Sequence, residues 1–110
     1  MPASSSVWDE SQALAAVGGK IESARALREL FLGELPGQVD SVRSAFAASD
    51  HAAVRDQLHR LKASCGFVGA HRLLSAVSRL SVGMDPASLQ DFLDSAALQH
   101  QSAAITPGAA

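Results

Sequence analysis

Apolar residues in this chain recur at steps of three and four, and no segment alternates them at steps of two. That periodicity argues against half-buried strands and predicts a fold built from amphipathic helices. Each run is closed by a residue that stops a helix. The first spans about Val7 to Val17 and halts at Gly18-Gly19. The second starts near Lys20, aligns Ala24, Leu27, Phe31, Leu35, Val42 and Phe46 on one stripe, and reaches about Ser49. Pro36 interrupts that stripe, but the pattern resumes in phase beyond it, so one kinked helix is expected rather than two. Asp50 is the expected N-cap of a third helix from His51 to Val68, ended by Gly69. A fourth runs from about Ala70 to Val82 and closes at Gly83. Asp85-Pro86 then opens a fifth as N-cap and first helical residue; it carries Leu89, Phe92, Leu93 and Ala96 inward and fades after Gln101.

Short connections between successive helices make neighbours antiparallel, so the expected fold is all-α: an antiparallel up-and-down four-helix bundle with a short extra N-terminal helix. A chain of 110 residues has material for one core and not for two. The domain is expected at residues 7–101, between a flexible N-terminal segment, 1–6, and a flexible tail, 102–110. With 47% hydrophobic and 18% charged residues, disorder is not indicated, and the absence of tyrosine and scarcity of β-branched residues favour helix. A net charge of -2 leaves no basic footprint for nucleic acid. Cys65 is the single cysteine, which rules out an intrachain disulfide and reads as a small buried residue in a reducing compartment. Met1 to Ser6 has neither a basic nor an apolar leader region, and no apolar run approaches bilayer length, so a soluble, unexported chain without membrane insertion is expected.

The third helix carries the chemistry. At 100° per residue, Val54, Leu58, Leu61, Cys65 and Val68 gather on the core side, whereas His59 projects roughly 140° away from them. Ala52, Arg55, Asp56, Lys62, Ala63 and Gly66 share its outward face. A lone exposed histidine is ordinarily a solvated side chain, and so is a lone lysine three residues on. The small residues set this one apart. Ala63 and Gly66 follow His59 by one and two turns, and a glycine there lowers helix stability by roughly 1 kcal/mol relative to alanine. Close approach of another protein to the imidazole accounts for that cost. Lys62 stands where it can meet negative charge placed on the ring.

The segment His59-Arg60-Leu61-Lys62-Ala63-Ser64-Cys65-Gly66-Phe67-Val68-Gly69-Ala70-His71-Arg72-Leu73 resembles the signature of histidine-containing phosphotransfer (HPt) domains, His-x-Leu-Lys-Gly-small-small followed by apolar-Gly-Ala-x-x-Leu. Val17-Gly18-Gly19, Phe31-Leu32-Gly33-Glu34-Leu35-Pro36 and Ala47-Ala48-Ser49-Asp50 also look like family landmarks. Ala63 departs from the commoner glycine but keeps the position small, and many members have a glutamate near Val82. The resemblance implies a cytoplasmic phosphorelay intermediate, free-standing or the C-terminal domain of a hybrid sensor kinase on the cytoplasmic side of the inner membrane. It implies that His59 accepts a phosphoryl group from a receiver-domain aspartate; Lys62 is then placed to offset its charge and Ala63 and Gly66 to let the receiver dock, while Arg55 and Arg60 are candidates for rim contacts or equally for solvated charges. No cofactor is expected in the chain itself, the divalent metal being the receiver's; a monomer and no autonomous catalysis are expected.

Two other readings compete. A helical module that docks partners or dimerises without chemistry would leave His59 incidental. A metal site from His51, His59, His71 and His100 is disfavoured, because His51 and His59 lie eight apart on one helix, outside the spacing that converges two ligands. His71 is placed to cap its helix and His100 lies where the last helix fades. Ser64 points to the core flank and reads as structural. No glycine-rich phosphate loop or Ser/His/Asp set suggests a hydrolase or kinase.

Overall fold

The computed structural model describes residues 7–102 and contains five helices, with no strand among the described residues: α1 (Glu10–Ala16), α2 (Ile21–Ala47), α3 (His51–Val68), α4 (His71–Gly83) and α5 (Pro86–Gln101). The expectations for segment 1–6 and for the tail beyond Ser102 lie outside that range.

Three aspartates start helices in the same way. Asp9, Asp50 and Asp85 each accept, through Oδ1, the backbone N–H three residues on: Gln12 at 3.0 Å, Ala53 at 3.1 Å and Ser88 at 2.7 Å. Each satisfies an N–H that the first helical turn leaves unpaired. Gly69 ends α3 in the left-handed region at φ 73°, where a glycine carries no steric penalty. The stripe on α2 runs unbroken through Pro36, which makes it one helix of 27 residues.

Two boundaries differ from expectation. The first helix begins at Glu10 and not at Val7, because tertiary bonds claim the preceding backbone. Asp9 N–H donates to the Gly69 carbonyl at 2.7 Å, and the Val7 carbonyl accepts from Arg72 N–H at 3.2 Å and from Gln99 Nε2 at 3.1 Å. Trp8 Nε1 donates to the Ser102 carbonyl at 2.7 Å. Residues 7–9 are thus a strap laid across the beginning of α4 and the end of α5. Gly83, expected to close α4, is instead its last helical residue, and Met84 takes the left-handed turn at φ 48°. Gly83 is small for another reason: a Cβ there would stand 2.9 Å from Ser88 Oγ and 3.1 Å from Asp85 Oδ2, in the cap of α5.

The apolar stripes meet in one core. Val54, Leu58, Leu61, Cys65 and Val68 of α3 are all buried, as are Ala24, Phe31, Leu35 and Val42 of α2, with Leu27 and Phe46 partly covered. From α5, Phe92 and Ala96 are buried while Leu89 and Leu93 pack at the edge. In sequence order α2 packs on α3, α3 on α4 and α4 on α5; α5 also touches α2, and α1 lies against α3 and α2. Leu73 pairs with Gln99 and Arg79 with Asp91, so α4 and α5 run in opposite directions.

The α2 stripe also contains Arg28, only 2% exposed. Its guanidinium lies 3.9 Å from the Trp8 ring centroid and grips the Glu10 carboxylate in two bonds, at 2.7 and 3.1 Å. The ring and carboxylate replace part of the hydration that burial removes. The strap, α1 and α2 are thereby locked together.

Candidate functional site

His59 lies midway along α3, on the side opposite Leu58 and Leu61, and it is exposed. The helical pitch that buries Val54, Leu58, Leu61 and Cys65 leaves the imidazole no route to the core. Lys62 and Ala63, the next turn on the same face, are exposed too, and so is Arg55 one turn before.

Across from His59 stands α4, and between the two helices runs a groove of about 400 Å³. Arg55, His59 and Lys62 form its α3 wall, and Ser78, Ser81 and Val82 its α4 wall. Leu58 and Val77, both core residues, make the floor. The lining therefore holds two cations and two hydroxyls with no carboxylate, although the whole chain has a net charge of -2. His100 of α5 also borders a groove, against α2, but that lining holds the Asp40 carboxylate as well as Arg43, whereas the charged groups beside His59 are cations alone.

The structure separates the two candidate rim arginines. Arg55 lines the groove. Arg60 lies outside it, paired with Asp56 one turn back at 3.1 Å, and both side chains are exposed. Such a surface pair contributes about 0.3–0.5 kcal/mol and partly uses the charge of Arg60 locally.

Gly66 is less open than its position on the helical wheel suggests. It is half-buried, because Gln12 of α1 reaches over it and donates through Nε2 to its carbonyl at 2.7 Å. A Cβ on Gly66 would lie 3.8 Å from that Nε2, an ordinary contact, so α1 leaves room for a methyl group. Ala63 remains the exposed small residue next to the imidazole. Ser64 donates through Oγ to the Arg60 carbonyl at 3.3 Å, which fits its structural reading. Cys65 is buried, and burial pushes its thiol up to about 12, so it offers no thiolate nucleophile at neutral pH.

The remaining histidines do not join His59 in a cluster. His51 opens α3, His71 is the first residue of α4 and His100 lies in the last turn of α5. The expected cap role of His71 is not found: Ala70 holds the cap position without a side-chain bond. Among the described residues no three His, Cys, Asp or Glu side chains come together in an arrangement that could hold a metal ion.

Sequence reasoning missed the α4 wall. Ser78, Ser81 and Val82 fall on one face by their i, i+3, i+4 spacing, and the exposure of Val82, at 87%, marks an apolar residue left out of the core. That signal was in the pattern, but the pairing of this face with His59 exists only in three dimensions.

The neutral form of an imidazole carries a lone pair on one ring nitrogen and can attack without a general base. Beside two cations it is suited to receive and hold a dianionic group. The family model of the Hpt domain matches residues 26–101, a range that includes His59 and both helices lining the groove. Comparisons with curated proteins and with solved structures give no match.

Proposed function

Since the chain belongs to the Hpt domain family, the histidine phosphotransfer domains of two-component phosphorelays, we propose that it is a relay intermediate whose phosphoryl acceptor is His59. The observation that carries this reading is the exposed imidazole at the middle of α3, with Lys62 and Arg55 in the same groove. The ring of contacts among α2, α3, α4 and α5 supports an antiparallel up-and-down four-helix bundle as the scaffold, with α1 laid against it.

In the step proposed, the lone pair of His59 Nε2 attacks the phosphorus of an aspartyl phosphate on a receiver domain. The new P–N bond forms as the P–O bond to the aspartate breaks, and the aspartate leaves as a carboxylate. Return transfer to a second receiver is the reverse. Phosphoryl transfer is chiefly a matter of positioning and charge neutralisation. Lys62 offsets charge on the phosphoryl oxygens, Ala63 admits the receiver backbone, and Arg55 and the Gly66 surface complete the contact. The receiver contributes the divalent metal and the acidic pocket, so this chain acts as a carrier without cofactor or autonomous catalysis. It works as a monomer in the cytoplasm, or on the cytoplasmic side of the inner membrane if joined to a sensor kinase.

The test is to incubate the chain with a phosphorylated cognate receiver and to repeat the incubation with His59→Gln. Label is expected on the native chain alone. Equal labelling of an equally helical variant would overturn the assignment.

A further inference from the structure

The hydroxyls facing His59 from α4 have no part in transfer as described so far. Ser78 is half-buried and Ser81 exposed, one turn apart, and both line the groove that holds His59, Lys62 and Arg55. Two helical serines bond their hydroxyls to the preceding turn, Ser64 to the Arg60 carbonyl and Ser75 to that of His71. Among the described residues Ser78 and Ser81 make no such bond, as is true of several other helical serines, but these two alone share the groove with His59. The groove is also roomy. At about 400 Å³ it exceeds by far the roughly 30 Å³ that one water occupies.

We propose that this groove is a phosphoryl-retention site: once His59 is phosphorylated and the partner has left, the phosphoryl group folds between the helices and accepts hydrogen bonds from Ser78 and Ser81, with Lys62 and Arg55 balancing its charge. The proposal rests on His59 being the acceptor and adds a function to the site, namely protection of the carried group. Loss of that group by hydrolysis requires water to attack phosphorus as the P–N bond breaks, releasing inorganic phosphate and returning the proton to the imidazole. Hydroxyl donors that occupy the phosphoryl oxygens, and Val82 standing over one side of the groove, oppose that attack. A relay protein must keep its cargo until the next receiver arrives, and nothing in a bare exposed imidazole provides such a delay.

Phosphoramidate tests this without a receiver, since attack by imidazole releases ammonia and leaves the phosphoryl group on the ring. The full chain is treated with potassium phosphoramidate, the reagent is removed, and decay at each histidine is followed by mass spectrometry. His51, His71 and His100 are exposed and serve as internal references. The phosphoryl group on His59 should outlast theirs. In S78A/S81A its half-life should fall about fivefold, as expected for losing two hydrogen bonds of modest net strength, and S78T/S81T should restore it. Alanine favours helix, so loss of fold is not expected to confound the result. An unchanged half-life in S78A/S81A would overturn the retention site while leaving receiver-dependent labelling of His59 intact. Absence of receiver-dependent labelling, with the serine effect present, would instead overturn the proposed function.

Discussion

Replacing Gly69 tests the physical reasoning behind the scaffold at a single atom. Gly69 closes α3 at φ 73°, and a Cβ built there would collide with the carbonyl oxygen of Asp9. Alanine in the left-handed region costs roughly 1–2 kcal/mol. The collision adds to this, because Asp9 cannot retreat without losing the bond from its N–H to the Gly69 carbonyl at 2.7 Å, worth about 1 kcal/mol. The same Asp9 carbonyl accepts from Ala13 N–H at 3.1 Å and so anchors the first turn of α1. Gly69→Ala should therefore destabilise the chain by about 3 kcal/mol. Asparagine tolerates the left-handed region but still carries a Cβ, so Gly69→Asn should recover about 1 kcal/mol and no more. Urea unfolding followed by far-UV circular dichroism and by Trp8 fluorescence measures both; Trp8 is the only tryptophan and sits in the strap. A Gly69→Ala variant within about 0.5 kcal/mol of the parent would refute the argument, and full recovery in Gly69→Asn would refute the collision.

Further outcomes follow from other contacts. Arg28→Met removes the cation between the Trp8 ring and Glu10 and should cost about 2–3 kcal/mol, with a shift in Trp8 emission; an unaltered emission and melting curve would contradict that packing. Cys65, buried with its thiol pushed up to about 12, should react with a disulfide reagent at pH about 8 only as fast as the fold opens, whereas prompt stoichiometric labelling of native protein would place it at the surface. Asp85 is held below the usual carboxylate range by the backbone N–H of Ser88 and then by its hydroxyl. Because its folded pKa is the lower one, its contribution is complete above the unfolded value and disappears as pH falls through the folded value. Asp85→Asn should accordingly flatten the acid limb of stability against pH, and an identical limb in both proteins would count against the cap.

How far the sequence disclosed this arrangement depended on whether a signal was local. The α3 stripe, its Asp50 cap and its Gly69 stop are contained within one helix, and the outward placement of His59 follows from them by pitch alone. Arg28 was illegible because its compensation comes from Trp8 and Glu10, on elements the α2 pattern does not include. Gln99 is buried for a similar reason: its amide accepts from Leu73 N–H and donates to the Val7 carbonyl, joining α4, α5 and the strap. The smallness of Gly66 suggests close approach by a partner, yet Gln12 from α1 covers part of that residue, a contact that no spacing along α3 announces. The α4 wall of the groove belongs to the same class, since no spacing along α3 states which face of another helix will lie opposite.

The central claim is that the phosphoryl group is carried on one imidazole of four. Site mapping by tandem mass spectrometry after transfer from a phosphorylated receiver tests it most directly. The account predicts acid-labile label confined to His59; label on His51, His71 or His100 in its place, or none on a folded chain, would contradict it.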